Sequence, residues 1–397
     1  MGSFAKKEKI KVLVVNTLYH PFEVGGAEKS VKSLCEKLAK EGFDIGVLSL
    51  SNETDSFETI KGIKIWRLKT RNIYWPFSSK SKSKITKIIW HAIDRQNLFP
   101  QGKIEKILQE FKPQIIHTNN LSGLTTLIWK IALKRKTPIV HTLRDYYLIC
   151  PKSTMFKGAH KCSNQCIDCE VFSRKQKKLS NIPSVVVGIS QRILDIHTSK
   201  GYFSTSGKQV IYNGFSINKH SSVRTHTSPL TIGFIGQLKR AKGFDMLVNA
   251  LNTLSHYDWK LLIAGDYSPK QKIDTNKKIP KEKVDFLGFV KQKNFFEKVD
   301  FLVVPSIWEE PFGRVIVESF SSNTPVIASN IGGIPEIFQS NKQFLFEPNK
   351  QSLIDMLIKI LDRPKTCLST FDFKIPEKFL IEKTVGAHAN LYRELLR

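Results

Sequence analysis

The chain has 397 residues, 41% of them hydrophobic, and 62 Lys+Arg against 35 Asp+Glu give a formal net charge of +27. That length exceeds one ordinary core and points to two domains, while the apolar content excludes wholesale disorder. No apolar run approaches the roughly 18–20 residues of a membrane span.

The basic excess lies mainly in the first half. Residues 1–180 hold 33 Lys+Arg and 15 Asp+Glu, a net +18, leaving +9 for the rest. No helix-turn-helix, RNP-like or zinc-finger pattern accompanies it, so nucleic acid is not the expected partner. An anionic membrane surface or a pyrophosphate-linked acceptor explains the charge, and plain solubility explains it equally well. Trp75-Pro76-Phe77, then Lys80, Lys82, Lys84 and Lys87, then Ile88-Ile89-Trp90, combine cations with interfacial aromatics as membrane-surface segments do. The N-terminus runs from Ala5-Lys6-Lys7-Glu8-Lys9 into a first strand rather than a signal-peptide core. A cytoplasmic protein is expected, peripheral on the inner face of the membrane.

In chain order, residues 11–17 read as a strand, 27–41 as an amphipathic helix stopped by Gly42, and 44–50 as a strand. Further buried strands are predicted at 114–118, 138–143 and 184–189, with helices around 122–135 and 191–199. Short connections between alternating strands and helices imply a parallel sheet. Gly25-Gly26 falls between the first strand and its helix, where paired glycines allow close backbone approach and free N–H groups face a phosphate. It does not form Gly-x-Gly-x-x-Gly, which speaks against a dinucleotide oxidoreductase. His117 and Asn119 end one predicted strand; His141, Arg144 and Asp145 end the next. These five are candidate pocket residues, although a lone His at a strand end is more often structural. Cys150, Cys162, Cys166 and Cys169 fall within twenty residues. In a reducing cytosol they would be either a structural zinc site or free thiols.

Residues 215–229 are polar and aperiodic and read as a linker. The pattern then restarts with strands at 230–235, 259–264 and 284–287 and a helix over 243–255. Gly236-Gln237-Leu238-Lys239-Arg240-Ala241-Lys242 follows the first of these strands. Asp300-Phe301-Leu302-Val303-Val304-Pro305-Ser306 reads as a strand buried on both faces, and it leads into Trp308-Glu309-Glu310-Pro311-Phe312-Gly313-Arg314-Val315-Ile316-Val317-Glu318. Glu310 stands before a short helix and Glu318 inside it, with Pro311 suited to its first turn and Asn323 to a left-handed stop. A second Gly-rich loop, Ile331-Gly332-Gly333-Ile334-Pro335-Glu336, follows the next strand at 324–329.

Glu, seven residues, Glu, with Pro-Phe-Gly inside and Gly-Gly-x-Pro-Glu after, resembles the retaining GT-B glycosyltransferases of family four. The resemblance implies an α/β fold of two Rossmann-like parallel-sheet domains facing each other across a cleft. It implies an acceptor domain at 1–214, a linker at 215–229 and a donor domain at 230–379. A C-terminal helix at 380–397 would return to the first domain. Sugar would pass from a nucleotide-sugar donor to a glycan or lipid-linked acceptor with retention, and no metal or other cofactor would be required for catalysis. Glu310 would face the donor sugar, Phe312 and Gly313 would offer backbone N–H groups, and Glu318 would hold the ribose. Lys242 would hold the diphosphate, with Gly25, Gly26, Gly236, Arg314 and Val315 lining the donor. Two departures stand out: Gln237 occupies the usual Arg position, with Arg240 nearby, and Arg144 occupies the usual His position. A catalytically altered or inactive member that binds nucleotide or glycan is the reading those departures leave open.

Overall fold

The computed structural model describes residues 8–77, 82–96, 101–217 and 228–397. The extreme N-terminus, Lys80 of the basic segment and most of the expected linker lie outside the described residues. The chain divides into two units: Met1–Thr154, Asn164–Gly214 and Ile381–Arg397 form the first, Met155–Ser163 and Phe215–Leu380 the second.

The first unit runs β1 (Lys11–Val15), α1 (Gly26–Lys40), β2 (Asp44–Ser51), β3 (Ser56–Ile60), β4 (Ile63–Lys69), α2 (Lys84–Gln96), α3 (Gln101–Phe111), β5 (Ile115–Thr118), α4 (Leu127–Lys134) and β6 (Ile139–Leu143). After a two-stranded hairpin, β7 (Phe156–Lys157) and β8 (His160–Lys161), it continues with α5 (Ile167–Leu179), β9 (Val185–Gly188), α6 (Gln191–Ser199) and β10 (Gly207–Val210). Its sheet has the order β10-β9-β6-β5-β1-β2-β4-β3. Among the described residues of this sheet, only the β3–β4 pairing is antiparallel. The central strands β1, β5 and β6 are buried along their length after Lys11, as strands covered by helices on both faces are. On α1, Val31, Leu34, Cys35 and Leu38 recur at helical spacing and are all buried.

The second unit runs β11 (Leu230–Ile235), α7 (Phe244–Thr253), β12 (Trp259–Ala264), α8 (Pro269–Asn276), β13 (Val284–Gly288), α9 (Gln292–Phe296), β14 (Phe301–Val304), α10 (Arg314–Ser321), β15 (Val326–Ser329), β16 (Leu345–Phe346), α11 (Lys350–Asp362) and α12 (Pro364–Ser369). Its six strands are parallel in the order β13-β12-β11-β14-β15-β16. The last helix, α13 (Ile381–Leu395), packs on α1, and its Ile381, Val385 and Tyr392 join the first unit's core.

Each sheet reverses its winding beside its first strand. β1 lies between β2 and β5, and β11 lies between β12 and β14. Loops leaving such neighbouring strands diverge and open a crevice at their carboxyl ends, the place where doubly wound sheets take ligands. Two details depart from the sequence reading. Met155–Ser163, expected within the first domain, belongs to the second unit. Gly313 is the N-cap of α10, so Pro311 precedes the helix instead of occupying its first turn. Asn323 does take a left-handed conformation, with φ 50°.

Candidate functional site

The crevice of the second unit is formed by the loops after β11 and β14. They touch at Gly243, whose φ is 72° and where an added Cβ would stand 1.6 Å from the Pro305 carbonyl oxygen. Only glycine permits that approach. The contact brings Lys242 to Glu310, with Nζ to Oε2 2.6 Å. The same carboxylate oxygen accepts from Trp308 Nε1 at 3.0 Å and from Ser306 Oγ at 3.2 Å. Glu310 is buried while the Lys242 side chain keeps 34% exposure, so the carboxylate is held in place while the ammonium can turn toward a ligand. Lys242 also lies 5.0 Å over the Trp308 ring. The Gly332-Gly333 loop holds the backbone of Glu310: Gly333 N–H donates to its carbonyl at 2.8 Å. Gly332, with φ 62°, passes so close that a Cβ would meet the Glu310 nitrogen at 2.5 Å.

On α10, Glu318 accepts from Arg314 Nε at 2.7 Å and from Gln292 Nε2 at 2.6 Å. Its two oxygens are thereby oriented, and each keeps a further lone pair for a diol. Arg314 is fixed in turn, its guanidinium 4.6 Å over the Phe215 ring. The Phe312 side chain is buried, with its ring 6.1 Å from that of Phe215 and 5.6 Å from that of Phe379, so the ring belongs to the packing behind the loop. Val315 is half-buried in the first turn of α10.

Sequence reasoning passed over Lys239. Burial, then repulsion from Lys242, depresses its ammonium below the ordinary lysine value, while Asp266 works the other way. Two cations thus share the loop after Gly236, and an anionic ligand would relieve their repulsion. Gln237 lies in the same loop, its carbonyl accepting from the Lys239 N–H. Arg240 instead lines a hollow with His160, Lys161, Asp245, Asn249 and Lys350. Lys161 of the β7–β8 hairpin pairs with Glu309 there at 3.2 Å.

In the first unit, Gly25 caps α1, and its N–H donates to Glu28 Oε2 at 2.9 Å. Burial raises the Glu28 carboxyl above its ordinary value. A Cβ at Gly25 would meet nothing nearer than that carboxylate at 3.7 Å, so packing alone does not demand glycine here. Gly26 opens the helix and is exposed. Arg144 leaves the end of β6 and is nine-tenths buried. Its Nε donates to Asn119 Oδ1 at 2.8 Å and its Nη1 to Asn213 Oδ1 at 2.7 Å. Two amide oxygens therefore aim the guanidinium, and Asn213 is a partner the sequence did not suggest. Asp145, which accepts from Tyr147 N–H at 2.8 Å, is pushed up to about 6 by burial. Its carboxyl also feels the Glu28 charge, which links the Gly25-Gly26 loop to the end of β6.

Two histidines belong to the core and correct the pocket assignment. His117 is fully buried, with Nδ1 2.6 Å from Tyr392 Oη and Nε2 2.7 Å from Thr142 Oγ1. Burial holds it well below its ordinary value, so it stays neutral. His141 bonds Thr118 Oγ1 at 2.9 Å and lies between Trp129 and Phe203, depressed to about 3 by burial. The cysteines also need correction. Cys162 lies on the second-unit hairpin, whereas Cys150, Cys166 and Cys169 belong to the first unit. Among the described residues no three His, Cys, Asp or Glu are grouped as a metal site requires, so the zinc expectation loses its support. Cys169 Sγ lies 3.8 Å from Cys150 Sγ. That hydrogen bond, then burial, raises the Cys169 thiol and keeps it protonated.

Comparison with known proteins identifies the family and the fold. Residues 24–219 match the family described as Glycosyltransferase Family 4, and residues 216–370 match Glycosyl transferases group 1. An uncharacterized 42.6 kDa protein in the cps region of Klebsiella pneumoniae is 36% identical over 331 residues, 83% of this chain and 87% of that protein. Among solved structures, HepE of Anabaena in complex with UDP superposes with TM-score 0.70 at 19% identity, covering 97% of this chain and all of that one. HepE has also been solved with UDP-glucose. WaaG, a glycosyltransferase involved in lipopolysaccharide biosynthesis, superposes with TM-score 0.64 at 16% identity, covering 94% of this chain and 98% of its own.

Proposed function

The chain belongs to the family-four, group 1 glycosyltransferases of GT-B fold, and from that premise we propose that it is a retaining hexosyltransferase using a UDP- or GDP-sugar. The acceptor we propose is a saccharide or lipid-linked glycan in cell-surface polysaccharide assembly. The observation that carries this reading is the Lys242–Glu310 pair, 2.6 Å apart at the switch point of the second sheet. A cation for a diphosphate and a carboxylate for a sugar stand side by side there.

In the proposed reaction, the acceptor hydroxyl attacks the anomeric carbon from the face the nucleotide leaves. The bond from that carbon to the diphosphate oxygen breaks, and its electron pair stays on the phosphate. A glycosidic bond forms, and the hydroxyl proton passes to the departing phosphate oxygen. Lys242 and Lys239 neutralise the charge that develops on the diphosphate, a preorganised electrostatic effect that needs no metal. Glu310 would orient the sugar, the backbone N–H groups of Phe312 and Gly313 would meet its hydroxyls, and Glu318 would hold the ribose diol. Gly236, Gln237, Arg314 and Val315 would flank the nucleotide. Arg144 is always protonated and cannot serve as a base. Held by Asn119 and Asn213, it is suited to an anionic group on the acceptor.

The relatives supply the choice of substrates. HepE binds UDP and UDP-glucose, the Klebsiella protein lies in a cps region and WaaG works in lipopolysaccharide synthesis. The test is a panel of UDP-, GDP-, ADP- and CMP-sugars, read by thermal shift and by nucleotide release. A UDP- or GDP-sugar should stabilise the protein and be turned over. Stabilisation and turnover by none of them would end the proposal.

A further inference from the structure

Helix α2 is amphipathic in the wrong sense for a surface in water. Its Asp94 and Arg95 are buried, while Ile85, Ile88 and Ile89 are 71%, 56% and 46% exposed. With exposed Ala92 they form an i, i+3, i+4, i+7 stripe, the pattern that ordinarily faces a core. The inward side is pinned by polar bonds. Asp94 accepts from Gly123 N–H at 2.6 Å and from Tyr147 Oη at 2.8 Å, and Arg95 Nη2 donates to the Tyr147 carbonyl at 2.6 Å.

The preceding loop extends this face. Trp90 Nε1 donates to the Tyr74 carbonyl at 2.9 Å, and Asn72 Nδ2 donates to the Trp90 carbonyl at 3.0 Å. The loop is thereby fastened to α2, and it presents Ile73 and Phe77, which are 49% and 37% exposed. Scattered apolar residues on a surface need no explanation, but a periodic stripe on one helix joined by a pinned apolar loop does.

The charge along the loop and the first three turns of α2 is of one sign. Residues 71–93 contain five Lys or Arg and no Asp or Glu. Lys84 and Lys87 are exposed on α2 itself, and Lys82 lies 5.6 Å over the Tyr74 ring. Apolar side chains flanked by lysines, in a helix far too short to span a bilayer, are what an interfacial segment needs.

We infer that the outward face of α2, with the loop 73–77, docks on an anionic lipid bilayer. The isoleucines and Phe77 enter the acyl boundary and the lysines meet the headgroups. An enzyme bound in this way would reach membrane-borne acceptors without a spanning helix. The inference stands on the surface alone and does not depend on the donor reading.

The test is flotation of the full chain with phosphatidylglycerol-containing vesicles and with pure phosphatidylcholine vesicles, with UDP binding measured on the same preparations. Binding should require phosphatidylglycerol and weaken with salt, as screening dictates. Ile85→Ser together with Ile88→Ser should reduce it about tenfold or more with no loss of thermal stability, because both side chains are exposed. Lys84→Gln with Lys87→Gln should reduce it about fivefold per lysine. Failure to float with either vesicle, or equal flotation with both, would overturn the inference. So would a concentration-dependent dimer abolished by the isoleucine variant, which would assign the face to a second copy of the chain. Retained UDP binding in any of these outcomes would leave the proposed function standing.

Discussion

Glu310→Gln offers the sharpest test of the donor site, because Glu310 Oε2 collects three donors: Lys242, Trp308 and Ser306. Glutamine has the same shape, and its amide oxygen can keep all three hydrogen bonds while losing the charge. A hydrogen bond to a charged partner contributes about 1.5–3 kcal/mol against about 1 kcal/mol for a neutral one. Water reaches Lys242, whose side chain is 34% exposed, so the loss should sit near the low end, about 1 kcal/mol. That corresponds to a fall of about 2–4 °C in Tm. Ligand binding should respond in the opposite direction. In the free protein Lys242 is already paired, and a diphosphate must compete with Glu310 for it. With the competitor neutral, UDP should bind as tightly as before or more tightly. Turnover should nevertheless drop about a hundredfold or more, the scale of removing one preorganised electrostatic group. Calorimetric titration with UDP and a nucleotide-release assay measure the two quantities. UDP affinity falling tenfold with turnover unchanged would refute the assignment, because Glu310 would then hold the nucleotide and not the sugar.

Three further outcomes are expected. Glu318→Ala removes the carboxylate that Arg314 and Gln292 orient and should weaken UDP binding about tenfold, readable by the same titration, with a smaller effect on kcat than Glu310→Gln. Gly243→Ala should destabilise the chain by about 3 kcal/mol or more in denaturant unfolding, since the new Cβ meets the Pro305 carbonyl at a left-handed position. Burial raises the Asp94 carboxyl from 3.8 to about 6, so the folded state binds its proton more tightly than the unfolded chain. Its contribution to stability is present below about pH 4 and is lost as pH rises through about 6, up to about 3 kcal/mol in all. Asp94→Asn should remove that slope, and wild-type and variant unfolding curves that run parallel from about pH 4 to pH 7 would show the carboxyl is not so perturbed.

Much of the fold was legible because parallel-sheet strands announce themselves. β1 after Lys11 and β14 are continuous apolar runs, β5 and β6 begin with apolar pairs, and α1 repeats its apolar residues at helical spacing. Polar edge strand β3 carries no such signal and is almost wholly exposed, and on α2 the helical spacing of apolar residues misleads, because they point away from the core. The site shows the same division. Lys242, Glu310 and Glu318 are named from the resemblance of their motifs to a known family, and the structure brings the first two together. His117 and His141 stood at strand ends as the pocket candidates did, yet their side chains point into the core. Direction across a strand decides this, and a one-residue pattern at a strand end does not encode which face is covered.

By itself, the sequence determined the α/β class and the alternation of strands and helices, for which local periodicity is enough, and its motifs carried the resemblance to the family. Only the tertiary structure decided which polar groups share a crevice. Lys242 and Glu310 are 68 residues apart, and Arg144 and Asn213 are 69 apart. Their meeting depends on strand order and on close approaches such as Gly243 to Pro305, which no local pattern records. Tertiary packing also turned the isoleucines of α2 outward, because buried polar bonds from Asp94 and Arg95 hold its other face.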